Sequence, residues 1–425
     1  MPASSSLTSI TWGSPLWWES VIGWTRETLR EQGIELTGGL VVERQTAWRI
    51  EAVAPSSIGP LRFVESHAPH RFEGGLLACA GRFVHGFVNP VVALDEAKAR
   101  FLVHDDAVPL SLAPAGSAAP TQTQVMRRVG RRALSPTAGL PDPTGDASGD
   151  GGTPAPQPSS GFATTEIGDK HIAAEDRAVA DAMPEFLPRW AEAQLGLAMH
   201  RLDMQQAGAP VMDPSWFPMF VENQIRAHAA RPSSDPLHIS AEEAARLEAE
   251  LIPRTQASAQ ILLDSGIPLM LDPGRIVGTD LGRGSDGLVV RRLPHASIAH
   301  PFSALSTAAA ARHRAYGDHD EGLAPLVLTY LEAFSRFGTP EELLEVAEHA
   351  VRLSPLNDYS ASMRIVAGPA PLDEETAARL ASLTLDRLRA VGSPPANWAA
   401  AFPTLSREEP VAAPIPIRRA ARRAR

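Results

Sequence analysis

The chain has 425 residues, 44% of them hydrophobic, which is long and apolar enough for two lobes with cores of their own. A formal net charge of −10 excludes a global basic field for nucleic acid. Cys79 is the only cysteine, which excludes an intramolecular disulfide and any multi-cysteine zinc site.

Residues 1–110 read as a small β-rich lobe. In Trp17–Gln32, Trp17, Val21 and Trp24 fall at helical spacing and Gly33 ends the helix. The Trp12, Trp17, Trp18 and Trp24 cluster is expected to pack this helix on the lobe rather than to form a ligand platform. LTGGLVVERQ, TAWRIEAVA and GPLRFVESH follow as three strands, HRFEGGLLACAGRF as a helix, and FVNPVVALDEAKARFLVHDD as a hairpin. The N-terminus lacks a basic region followed by an unbroken apolar stretch, so no signal peptide is expected. No run of about 18 apolar residues suggests a membrane span. A reducing cytoplasm is the expected location, with an unidentified protein or small molecule as partner and neither membrane nor nucleic acid.

Residues 111–168 are rich in Pro, Gly, Ser, Ala and Thr and are expected to be a disordered insertion. Within them Val125–Leu134 carries four arginines and reads as a solvated tether. Residues 169–400 read as a helical lobe. Expected helices are Ala173–Ala182, Pro188–Gln206, Trp216–Ala230, Ala241–Leu263, Glu321–Phe337, Pro340–Arg352 and Asp373–Val391. Ser240 with Glu243 marks a capping box, and Thr339 a cap before Pro340. Residues 401–425 end in RRAARRAR and read as a basic disordered tail. The fold class is therefore α+β: a small β-rich N-lobe and a larger helical C-lobe with one hairpin near residues 276–292.

Gly282, Gly284 and Gly287 match a dinucleotide fingerprint as text, but LVVRR reads as a strand, not the helix that motif requires. A hairpin turn is expected instead. His67, His70 and His85, and His313 and His319 with Asp318 and Asp320, lack the spacing of a helical zinc site. No nucleophile elbow is present.

LDPGRIVGTDLGRGSDGLVVRRLPHASIAHPF (Leu271–Phe302) carries the chemistry of interest. Its layout resembles the aminoglycoside phosphotransferase and choline kinase-like family, over roughly residues 45–360. That family's ridge reads His-Gly-Asp-Leu-His-Pro-Gly-Asn, a hairpin, Asp-Trp-Gly-Asp-Ala-Ser, then Ala-His-Pro-Phe. The most specific match is ASIAHPFSAL (Ala296–Leu305). The resemblance implies a two-lobed protein-kinase-like fold, with ATP and Mg²⁺ as cofactors of an active member. It places Arg275 where the family has its catalytic Asp, Asp280 where it has the metal-binding Asn, and Arg292 where it has the metal-binding Asp. It places Val64 where the family has its phosphate-pairing Lys, and Glu73 where it has that lysine's partner.

Phosphoryl transfer needs oxygen ligands for Mg²⁺ and a base to orient the hydroxyl. A guanidinium supplies neither. His295 is the one nearby substitute base. The expectation is a catalytically impaired pseudokinase, needing no cofactor, that binds or scaffolds. Two alternatives stand beside it. One is an active ATP- or GTP-dependent kinase of a small hydroxylated molecule using Asp272, Asp280 or Asp286. The other is an unrelated helical interaction protein.

Overall fold

A computed structural model describes residues 14–45, 49–66, 70–83, 91–96, 98–105, 108–109, 169–284, 287–367, 373–403 and 405. The insertion at 111–168, nearly all of the tail, Trp12, His67, His85 and Asp286 lie outside these residues.

The architecture is mixed α+β, with a sheet region first and a helical region after it, consistent with a two-lobed kinase-like fold. Five antiparallel strands form the N-terminal sheet: β1 (Val41–Gln45), β2 (Arg49–Ser56), β3 (Gly59–Ser66), β4 (Val91–Asp95) and β5 (Arg100–His104). Their spatial order is β1-β2-β3-β5-β4. Period-two alternation assigns each face. Ile50, Ala52, Ala54, Leu61, Phe63 and Leu102 face helix α1 (Pro15–Glu31), whose Trp17, Val21 and Leu29 complete a small core. Trp17 is 2% exposed, its indole N–H donates to Glu65 at 3.0 Å, and the half-buried Trp18 and Trp24 pack against the same core, as expected for these three.

The opposite face carries Val64, Phe101 and Val103. These join helix α2 (Glu73–Phe83) and the larger core of the helical region. Register then sets the chemistry: Glu51 lies opposite Val64, and Arg49 and Arg62 share their face.

The helical region opens with α3 (Asp169–Leu197), which corrects the expectation of separate helices at Ala173–Ala182 and Pro188–Gln206. Pro184 and Pro188 lie inside it. Each costs about 3 kcal/mol in a helix interior. The stripe Val179, Met183, Phe186, Leu187, Trp190 and Ala191 is wholly buried and holds the helix through both. A 3₁₀ turn leads to α4 (Arg201–Gln206), then α5 (Phe217–Ala229) and α6 (Ala241–Asp264). Ser240 caps α6 through the Glu243 N–H at 3.1 Å, while the Glu243 carboxylate pairs with Arg389 instead of closing the box.

Six helices follow: α7 (Ala304–Tyr316), α8 (Leu323–Glu332), α9 (Pro340–Leu353), α10 (Pro355–Val366), α11 (Glu374–Arg389) and α12 (Ala396–Ala401). The sequence patterns gave no sign of α7, α10 or α12. The segment Glu321–Phe337 shortens to α8 plus a 3₁₀ turn. Thr339 and Glu342 form a complete capping box on α9.

Between α6 and α7 runs the ridge. Strand β7 (Met270–Asp272) pairs with β10 (Ser297–Ala299). Strands β8 (Leu281–Gly284) and β9 (Gly287–Val290) form the expected hairpin, and β6 (Val108–Pro109) pairs with β8. Gly287 has φ +110°, the conformation that a turn glycine supplies.

Candidate functional site

The ridge meets the sheet through a knot of buried ion pairs. Arg292 is 5% exposed. Its Nη1 donates to Glu51 Oε1 at 2.6 Å, and its Nη2 lies 2.6 Å from Asp280 Oδ1 and donates to Thr279. Glu51 also binds Arg49 at 2.6 Å and Arg62 at 3.2 Å. Arg49 reaches on to Glu73, which is fully buried and accepts the Leu293 backbone N–H at 3.0 Å. Arg62 grips Asp105 with two nitrogens, at 3.0 and 2.9 Å, and Arg291 binds the same carboxylate. Farther along, His70 Nδ1 donates to Pro294 O at 2.8 Å. Four separate contacts thus tie the sheet region to the segment 291–294.

Electrostatics follow from this crowding. Burial raises the Glu51 carboxyl, but Arg292, Arg49 and Arg62 override it and hold the group well below the usual carboxylate range. Burial opposes the charge on Arg292, and Asp280, Glu51 and Glu73 more than restore it. At Glu73 burial wins and raises the carboxyl, against Arg49 and Arg292.

The sequence-derived positions divide into two groups. Arg292, Glu73 and Asp280 come together. Val64 lies beside them in the core, 1% exposed, with its side chain in apolar contact and Arg49 in place of a lysine as the partner of Glu73. Arg275 is exposed, in the fields of Arg314, Asp358, Arg387 and Asp176. His295 is half-buried beside that second group, its ring edge-on to His70 at 5.5 Å. Its imidazole is held well below its usual pKa by burial first, then by His70, Arg275, Arg387 and Arg364.

Arg49, Glu51, Arg62, Asp105 and Arg291 were not singled out from sequence. The available signal was the alternation in RIEAVA, which puts Arg49 and Glu51 on one face while Ile50 and Ala52 fill the other.

Mg²⁺, which the family resemblance implies, does not fit this arrangement. Asp280 Oδ1 is engaged by a guanidinium, and its Oδ2 accepts the Val277 N–H at 2.9 Å. A cation placed there would meet Arg292 directly. Among the described residues no group of three or more His, Cys, Asp or Glu is arranged to hold a metal ion. His313–Asp318 is an exposed ion pair, and Arg312–Asp320 a largely buried one.

Asp272 is 2% exposed at the end of β7, with the Asn357 amide 3.3 Å away. Burial first, then the Asp358 charge, pushes its carboxyl up to about 7, against Asn357, the Gly274 N–H and Ser297. In the unfolded chain the same group titrates near about 3.9. Between those values the folded chain binds a proton that the unfolded chain has released, so Asp272 costs stability as the pH rises through this window. Asp272→Asn is therefore expected to melt above the parent at pH 8, with the gain shrinking by pH 5. An equal difference at the two pH values in thermal melts would contradict this.

No family model matches the chain, and no curated protein matches it. Several solved structures do. A macrolide 2'-phosphotransferase type I is 14% identical, with 85% of this chain and 96% of that chain covered and a TM-score of 0.42. A GDP complex of an aminoglycoside 2'-phosphotransferase-IIIa variant is 9% identical, at 86% and 96% coverage and a TM-score of 0.44. An ethanolamine kinase of Plasmodium vivax is 7% identical, at 83% and 82% coverage and a TM-score of 0.46. With identities and TM-scores this low, these likenesses carry no argument about activity.

Proposed function

We propose that this chain is a kinase-like protein that does not transfer phosphoryl groups and instead binds or scaffolds an unidentified protein or small-molecule partner. Support comes from one observation: the Arg292 guanidinium sits between Glu51 and Asp280, at 2.6 Å from each. A group that neutralises both carboxylates internally leaves them unavailable to a metal–phosphate complex. The reading divides the chain into an N-lobe (1–110), an insertion (111–168), a helical lobe (169–400) and a tail (401–425), located in the cytoplasm. Among the described residues no helix is long and apolar enough to cross a membrane.

Two of the three acids offered by the active-kinase alternative are poorly placed, and the third, Asp286, lies outside the described residues. Asp272 is buried against Asn357, and Asp280 is engaged by Arg292 and Val277. The test is titration of the full chain with ATP and with GTP, with and without Mg²⁺, followed by thermal melting and phosphate release. The expected result is no Mg²⁺-dependent stabilisation and no turnover. Stabilisation by Mg²⁺–ATP accompanied by turnover would overturn the reading.

A further inference from the structure

Around Arg275 and His295 lies a second set of charged groups that the ion-pair knot does not use. Arg275 on the ridge loop lies in the fields of Arg314 on α7 and Arg387 on α11, and His295 lies in those of Arg275, Arg387 and Arg364 on α10. Two carboxylates answer them. Asp176 pairs with Arg314 at 2.7 Å. Asp358 lies in the fields of Arg387, Arg275 and Arg314, yet among the described residues it closes an ion pair within 4 Å with none of them. Asp272, the third acid nearby, is largely protonated below neutral pH.

The individual arginines are under-used. The Arg275 guanidinium makes no hydrogen bond or ion pair among the described residues. Arg364 donates one bond to Ser360 Oγ at 3.0 Å, while its buried Nε has no partner. Arg387 donates only to the Asp358 backbone carbonyl, at 3.3 Å, among these groups. Arg275, Arg364 and Arg387 all act on the His295 ring, which has no hydrogen-bond partner among the described residues. A neutral imidazole in that position still offers an N–H. The backbone that carries these groups is fixed: Gly274 lies directly against the His295 carbonyl, and Thr307 Oγ1 binds Gly274 O at 2.7 Å.

Guanidinium forks with free donors, held on rigid elements and short of carboxylates, match the oxygens of a phosphate group. We propose that Arg275, Arg364 and Arg387, with the His295 ring among them, form a binding site for a small molecule bearing a phosphate monoester. The site shares no residue with the Arg292 knot and goes beyond the proposed loss of phosphoryl transfer. It stands or falls without nucleotide or Mg²⁺.

The test is titration of the full chain with inorganic phosphate, in the absence of nucleotide and at constant ionic strength maintained with chloride. Thermal melting and the imidazole proton resonance of His295, assigned by loss in His295→Asn, are followed together. The expected result is a saturable shift of that resonance and a rise in melting temperature. Arg275→Ala should weaken phosphate binding at least tenfold, and Arg275→Lys should recover part of it. Arg275 is exposed and pairs with none of the described residues, so its variants are expected to fold, and melting in chloride alone checks this. A phosphate response no different from that to chloride, or one unchanged in Arg275→Ala, overturns the proposal. So does saturation that is lost in Arg275→Ala only because the variant melts early while Arg364→Ala, folded, binds as the parent does.

Discussion

Arg292→Ala is expected to destabilise the chain by about 3–5 kcal/mol, read as a lower denaturant midpoint. Arg292 is 5% exposed, and its removal leaves two carboxylates short of a counter-charge. The two are not equally harmed. Glu51 keeps Arg49 and Arg62, whereas Asp280 keeps only the Val277 N–H among its hydrogen bonds. Most of the loss should therefore come through Asp280. A double variant, Arg292→Met with Asp280→Asn, removes charge and counter-charge together and fills the volume. It should recover much of what Arg292→Met loses alone, since removing a whole buried pair is far cheaper than removing half of it. The coupling is measured by a double-mutant cycle in urea. A single-variant loss below about 1 kcal/mol would show that the knot is solvated and weak, as surface pairs are.

The same residue shows where sequence reading succeeds and where it stops. Hydrophobic period and turn residues report local structure, so the sheet strands, α1, α2, α5, α6 and the β8–β9 hairpin were legible. Caps reported α6 and α9. The gap expected between Ala182 and Pro188 is absent from α3, because a buried stripe overrides the low local helix propensity of Pro184 and Pro188. Helix α7 begins ALSTAAAA, where small residues give little amphipathic contrast, and its packing comes from contact with α3. At the site, Arg292 and Glu73 were identified as substituted or retained positions from the motif alone. Their partners were not, because Glu51 and Arg292 are 241 residues apart and nothing local couples them. Arg275 and Arg292 both lie on the ridge. The chain reverses direction through the hairpin between them, so they end in separate clusters.

Gly274→Ala should be the most damaging glycine substitution in the ridge. Gly274 has φ +62°, a conformation costing an alanine roughly 1–2 kcal/mol by itself. Sterics add to that. An added Cβ would overlap the His295 carbonyl, which is backbone and cannot swing aside like a long side chain. The loop carrying Arg275 would have to leave the 295–297 segment, and the β7–β10 pairing and the Thr307–Gly274 bond lie next to it. Gly23→Ala is the natural control. It lies inside α1 with nothing within 4 Å of the added carbon, so alanine there should stabilise by about 0.5–1 kcal/mol. Opposite signs for the two substitutions in urea melts are the expected outcome. If Gly274→Ala instead melts with the parent, the close approach of the two ridge loops is not a constraint on this fold. The second arginine cluster would then lose its rigid support as well, because Arg275 is positioned by that approach.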